Sequence, residues 1–207
     1  MPTNAPYPDD VQRVLDDLDA NLRRAEALVR DLDETQFAWQ PSPGSWSIAQ
    51  CLDHLNVANR AYLGPMRAAV EKARQQGRRR RGPIRQGFVE RWFTKSMEPP
   101  PSRKLPAPKK TVPTLREGKE RIAGDFRRIQ EEVEALLREA ADLDMSIRFQ
   151  NPFFPLARVT VGSGFLIIAA HERRHLWQAE RVKVLTPRPP LPSPSQPPGE
   201  GAPPPVP

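Results

Sequence analysis

Three histidines, His54, His171 and His175, are the only histidines of this 207-residue chain, and their setting suits metal binding. His171 and His175 are four residues apart, so on a helix they lie on one face, one turn from each other. Apolar residues recur on that same face and on the face that carries His54, which places all three rings toward the core. Burying a whole set of imidazoles is costly unless something uses their lone pairs. The sequence therefore predicts a site for one divalent transition-metal ion, with three ordinary hydrogen-bonded core histidines as the alternative.

Residues 171–175, HERRH, also match H-E-x-x-H, in which two histidines bind zinc and the glutamate polarises the attacking water. A protease is disfavoured because no third histidine follows at the metzincin spacing. Downstream of His175 the only acids are Glu180 and Glu200, and no edge strand is predicted that could align a peptide. Glu172 stays a candidate catalytic base, but its side chain lies about 100° round the helix from the preceding histidine. That angle favours a solvent-facing charge.

Apolar residues spaced three or four apart predict four helices in a single domain over residues 9–185. The predicted helices cover residues 9–32, 48–76, 113–140 and 161–185, with Ser47 capping the second, Pro113 opening the third and Thr160 or Ser163 capping the fourth. Gln50, three residues after Ser47, completes a capping box. Since no strand pairing is predicted, the fold class is all-α, a four-helix bundle.

The remaining segments are predicted to be connections. Residues 1–8 should form a flexible N-terminus, and residues 186–207, rich in proline, a disordered tail. A long basic, proline-rich loop joins the second and third helices, with a short helical or irregular stretch at IRQGFVERWF. The net charge of +7 concentrates there, where Glu90 and Glu98 are the only acids between Lys72 and Lys110. We interpret the loop as a solvated connection, because no nucleic-acid-binding motif accompanies its charge.

Cys51 is the only cysteine, which excludes an intramolecular disulfide and a thiolate-rich metal site. It lies one helical turn before His54, so a fourth metal ligand is an alternative to a small buried apolar side chain. Trp39 and Trp46 flank the entry to the second helix and are interpreted as packing anchors rather than substrate platforms. The N-terminus lacks a secretion signal, and the longest apolar run, residues 165–170, is too short to span a bilayer. We expect a cytoplasmic protein without a membrane partner.

Two segments carry a family resemblance, GSWSIAQCLDHLNVANRAYL with His54 and HERRHLWQAERV with His171 and His175. Together with WFTKSMEPP and the order of the elements, they resemble the DinB and YfiT-like four-helix-bundle superfamily over about residues 9–185. The resemblance implies a three-histidine nickel, zinc or iron site that is open to water, often in a homodimer.

The resemblance also frames the functional hypotheses. Characterised relatives include transferases and isomerases that use low-molecular-weight thiols such as mycothiol and bacillithiol. The leading hypothesis is a metal-dependent transferase in which the ion lowers the pKa of a bound thiol and presents a thiolate to a small electrophile. One alternative is a metal-dependent hydrolase that activates water, with Glu172 as candidate base. The other is a non-enzymatic protein that binds a metal or small ligand.

Overall fold

The computed structural model of the chain describes residues 7–100, 113 and 117–187. It confirms the predicted all-α architecture, a four-helix bundle. The elements are α1 (Asp9–Val29), α2 (Glu34–Ala38), α3 (Ile48–Gln75), α4 (Phe88–Met97), α5 (Lys119–Ala140), β1 (Arg148–Gln150), β2 (Arg158–Thr160) and α6 (Val161–Leu185). The four long helices α1, α3, α5 and α6 form the bundle, in which α1 and α3 each pack against both α5 and α6. Within the described residues, none of the helices combines the length and the apolar composition that a membrane span requires.

The two helices that carry the histidines begin at the predicted caps. The Ser47 hydroxyl accepts a hydrogen bond from the Gln50 backbone N–H at 3.1 Å, and the Gln50 side chain accepts from the Ser47 N–H at 2.9 Å. Thr160 caps α6 by accepting from the Ser163 N–H at 3.1 Å. Because these side chains satisfy N–H groups that the first helical turn leaves unpaired, they fix where α3 and α6 start.

The bundle interior holds two apolar clusters, one toward each end. Along α6, residues up to Ala169 belong to the first cluster, and residues from Leu176 onward belong to the second. Along α3 the second cluster extends to Leu55 and the first resumes at Tyr62. The middle of the bundle, between the two clusters, is therefore where polar interior residues are found.

Two predictions about the elements are wrong. The third predicted helix, α5, begins at Lys119 and not at Pro113, because its N-terminal capping is supplied from elsewhere in the chain: the Glu34 carboxylate of α2 accepts from the Lys119 N–H at 3.0 and 3.1 Å. Strand pairing was not expected, yet β1 and β2 form an antiparallel hairpin with Phe149 opposite Val159. Both side chains are buried in the first apolar cluster, and this packing stabilises strands of only three residues.

The basic connection between α3 and α5 is not simply a solvated loop. Arg78 pairs with Asp144 at 2.6 Å, and Arg80 pairs with Asp10 at 2.6 Å. Farther on, α4 packs along α6, where the buried Glu90 carboxylate accepts from the Thr160 N–H at 3.1 Å and from the Ser163 hydroxyl at 2.9 Å. Residues 101–112 of this connection lie outside the described residues, as do residues 1–6 and 188–207 of the predicted flexible termini.

Candidate metal centre

The helices α3 and α6 bring the three predicted ligands together. His54 from α3 meets His171 and His175 from α6, and one ring nitrogen of each lies within 4.8 Å of the other two. The Nε2 atoms of His54 and His171 are 3.1 Å apart. Nitrogens placed tetrahedrally round one ion at roughly 2.0–2.1 Å would be about 3.3 Å from each other. The spacing of His54 and His171 therefore fits a single shared ion, and a nitrogen of His175 lies within 4.8 Å of both.

Burial keeps these rings in the form that binds metal. His54 and His175 are 3% and 8% exposed, and His171 is somewhat more open. Loss of hydration lowers the pKa of His171 to about 3, with further lowering from His54 and from the charge of Arg174. The pKa of His175 also falls well below its usual value. Burial is the main cause, followed by the nearby His171, His54 and Arg174. At neutral pH both imidazoles are uncharged and keep a lone pair for a metal.

Gln178 orients one of the rings. Its Oε1 atom lies 3.1 Å from Nδ1 of His175, so the ring donates its Nδ1–H to the amide oxygen. A neutral His175 then carries no proton on Nε2, which keeps its lone pair, as is typical of metal-binding histidines whose other ring nitrogen donates a hydrogen bond. Gln178 follows His175 by three residues on α6 and was not among the residues predicted to form the site.

Trp46 forms one wall of the site. Its ring stacks on His175, with centroids 5.4 Å apart and planes at 24°, and it lies tilted against His54 at 4.9 Å. Trp39 and Trp46 both pack against the second apolar cluster, in keeping with their interpretation as packing anchors. Trp46 in addition contacts two of the three histidines.

On α6, two arginines between the histidines attach α4 to the site. Arg173 forms a bidentate pair with Glu98 at 2.9 and 2.6 Å, just beyond the end of α4. Arg174 donates to the carbonyl oxygen of Ser96 at 3.2 Å, and its positive charge contributes to lowering the pKa of His171. The segment predicted to be a loop thus lies directly beside the metal-site helix.

Glu172 does not face solvent, so that prediction is wrong. Its side chain is fully buried in the bundle interior, where it accepts hydrogen bonds from Asn21, Asn59 and Gln130. Burial raises its pKa to about 7, an effect that the three amide donors oppose. Among the described residues, no carboxylate joins the three-histidine group.

Cys51 is an interior apolar side chain of the second cluster. It is fully buried beside Leu52 and Ile48, and burial raises the pKa of its thiol far above the usual value. Within the described part of the chain, its sulfur is not among the atoms gathered round the histidines. The alternative of a fourth ligand therefore has no support in the geometry.

A family model covers most of this bundle. The model of the DinB superfamily matches residues 17–179, most of the bundle and all three histidines. The chain belongs to the DinB superfamily. Among solved structures, this DinB protein is similar to YfiT from Bacillus subtilis, described as "a probable metal-dependent hydrolase with an unusual four-helix bundle topology". The two share 13% identity and a TM-score of 0.56 over 88% of this chain and 90% of YfiT, a likeness that shows the shared fold. No curated protein sequence matches the chain.

Proposed function

We propose that this protein is a metal-dependent transferase that acts with a low-molecular-weight thiol. One divalent ion, nickel, zinc or iron, would be held by His54, His171 and His175. The observation that carries the proposal is the cluster of three imidazole nitrogens within 4.8 Å, with no fourth protein ligand among the described residues. Three protein ligands leave a coordination position for a substrate. When bound, the ion supplies a Lewis acid that lowers the pKa of a thiol or water molecule at that position.

The surroundings of the cluster favour a thiol over water as the nucleophile. A free thiol has a pKa near 8.5, so a modest shift makes it a thiolate at neutral pH without a protein base. Activated water is usually helped by a carboxylate, and in the described part of the chain none joins the cluster. Two carboxylates directly adjoin a histidine of the cluster in sequence, Asp53 and Glu172. Asp53 is not among the groups gathered at the cluster, and the Glu172 carboxylate is occupied by three amides in the bundle interior.

The other residues of the site have supporting roles in this proposal. Gln178 keeps Nε2 of His175 unprotonated, and the Trp46 ring excludes water from one side. The Arg174 guanidinium, held by the Ser96 carbonyl, adds positive charge that would stabilise a bound thiolate. A small electrophile would then react on the side of the cluster that Trp46 leaves uncovered.

A hydrolase that activates water is the second candidate, supported by the likeness to YfiT. The same three histidines would hold the ion, and the reaction would differ only in the molecule that loses a proton. Hydrolysis that survives in Glu172→Gln would remove this residue from the role of base.

Metal analysis and two activity assays test the proposal together. The wild type and the variants His54→Ala, His171→Ala and His175→Ala are purified in parallel, with Cys51→Ala as a control that leaves the ligands intact. We expect about one ion per wild-type and control chain, little in the three histidine variants, and metal-dependent loss of a cellular thiol in the presence of a reactive electrophile. Wild-type metal content in all three histidine variants would refute the site. Ester hydrolysis without thiol consumption would favour the second candidate.

A further inference from the structure

A polar layer crosses the middle of the bundle, between the two apolar clusters. Each long helix contributes one buried polar residue to it: Asn21 from α1, Asn59 from α3, Gln130 from α5 and Glu172 from α6. All four are at most 1% exposed. The Glu172 carboxylate is the common partner of the other three, so the layer has a centre.

The hydrogen bonds round Glu172 are specific to one position of α6. Its Oε1 atom accepts from Asn59 Nδ2 at 2.7 Å, and its Oε2 atom accepts from Asn21 Nδ2 at 3.0 Å and Gln130 Nε2 at 3.1 Å. Asn21 also donates to the Ala169 carbonyl, and Gln130 to the Leu18 carbonyl. One carboxylate thereby connects α6 with the other three helices of the bundle.

Any displacement of α6 would break this arrangement. A shift by one residue moves the helix about 1.5 Å along its axis and turns it about 100°, which removes the carboxylate from all three donors. A carboxylate buried without partners is strongly destabilising, far more so than an apolar contact that can slide. Buried polar groups are known to fix the register of packed helices for this reason.

We propose that Glu172 is a positioning residue of the metal site: by accepting from α1, α3 and α5, it fixes the axial position and rotation of α6, and with them the places of His171 and His175 opposite His54. This inference rests on the proposed metal site. Glu172 holds α6 from the helix face that meets the bundle interior, and His171 and His175 would bind the metal from the neighbouring face.

The structure predicts different outcomes for two substitutions at this position. In Glu172→Gln, the new amide oxygen can still accept from Asn21 and Gln130, whose own orientations are fixed by the carbonyls they bond. The new amide nitrogen then faces Asn59, whose Oδ1 has no hydrogen-bond partner among the described residues. The Asn59 amide can therefore turn over and accept. Glu172→Leu offers no acceptor and leaves three buried amides without their shared partner.

Cobalt(II) binding to the metal-free full-length chain tests the inference. Affinity is measured by chelator competition, coordination geometry by the visible absorption spectrum, and the folded fraction by circular dichroism. We expect Glu172→Gln to retain the wild-type spectrum and affinity. Glu172→Leu should bind cobalt about 10-fold more weakly and with an altered visible spectrum. A loss of this size is typical when a residue that orients metal ligands is changed.

A matched pair on α3 keeps the test decisive if Glu172→Leu does not fold. Asn59→Leu removes one donor to Glu172, whereas Asn56→Leu removes a buried amide that donates to the Ile122 carbonyl at 2.9 Å and takes no part in the polar layer. We expect the cobalt spectrum and affinity to change in Asn59→Leu and to be preserved in Asn56→Leu.

Three results would overturn the positioning role. These are wild-type cobalt binding by folded Glu172→Leu, an identical response of Asn59→Leu and Asn56→Leu, and a Glu172→Gln protein whose cobalt affinity falls as far as that of Glu172→Leu. A wild-type chain that binds no cobalt would instead refute the metal site itself, so the two failures are distinguishable.

Discussion

Replacing His171 with glutamine should make the metal-free protein less sensitive to acid. In the folded state burial lowers the pKa of His171 to about 3, from the ordinary value of 6.5 that applies when the chain unfolds. Between these values the unfolded chain binds one proton more than the folded chain at this residue. Since the free energy of unfolding then falls as the pH falls, the contribution is fully present above 6.5 and is lost progressively toward 3.

The size of the effect follows from the two pKa values. Each unit of pH below 6.5 costs about 1.4 kcal/mol for one such histidine, so acidification from about pH 7 to about pH 5 removes ~2 kcal/mol through His171. His175 acts in the same direction. Glu172 acts in the opposite direction, because its raised pKa lets the folded state take up a proton first. Both are present in wild type and variant. Removing His171 also relieves part of the lowering of the His175 pKa, an effect of the same sign that makes the variant still less sensitive to acid.

Urea unfolding in the presence of a chelator measures this difference. Wild type and His171→Gln are unfolded at about pH 7 and about pH 5 at constant ionic strength, and the change in unfolding free energy is compared between them. The variant should lose ~2 kcal/mol less than the wild type. Equal losses in the two proteins would show that His171 is not held neutral in the folded state, which would remove the argument that burial prepares the cluster for a metal.

Three further predictions concern the surroundings of the cluster. Gln178→Leu should weaken cobalt binding about 10-fold by freeing the His175 ring, as measured by chelator competition; unchanged affinity would contradict its orienting role. Copper(II) should quench the tryptophan fluorescence of the wild type much more than that of Trp46→Phe, since this indole stacks on a ligand, and equal quenching would place the ion elsewhere. Glu90→Ala should lower the free energy of unfolding by about 1 kcal/mol or more, because it removes the acceptor for the Thr160 N–H and the Ser163 hydroxyl at the start of α6. Urea titration measures this change, and a variant as stable as the wild type would contradict the prediction.

The gathering of the three histidines could be predicted from the sequence because they lie on regular helices. A spacing of four residues fixes the relation of His171 to His175 before any tertiary contact is known, and Ser47 fixes the start of the helix that carries His54. The hairpin of Phe149 and Val159 could not be predicted in this way. Its strands have three residues each, too few for an alternating pattern, and they depend on packing against the bundle.

The start of α5 depends on a residue that is distant in the sequence. Pro113 is a reasonable first-turn residue by local rules, yet the helix begins at Lys119, where Glu34 binds the free N–H. Gln178 and Trp46 were missed as partners of the ligands for a similar reason. Neither a lone glutamine nor a tryptophan has a sequence pattern that identifies it with a metal site, so only their contacts with His175 reveal the role.

The error over Glu172 shows what helical geometry alone leaves undecided. The angle of about 100° from the preceding histidine correctly separates the carboxylate from the face that gathers the ligands. Whether the face of α6 that carries Glu172 meets solvent or protein depends on which helices pack against α6. In this fold α1, α3 and α4 all pack against it. The residues HERRH therefore lie on two faces of α6. The two imidazoles face the histidine cluster, and the glutamate faces three amides in the bundle interior. In an H-E-x-x-H protease the glutamate must reach a water molecule beside the metal, and here its hydrogen bonds hold it in the bundle interior.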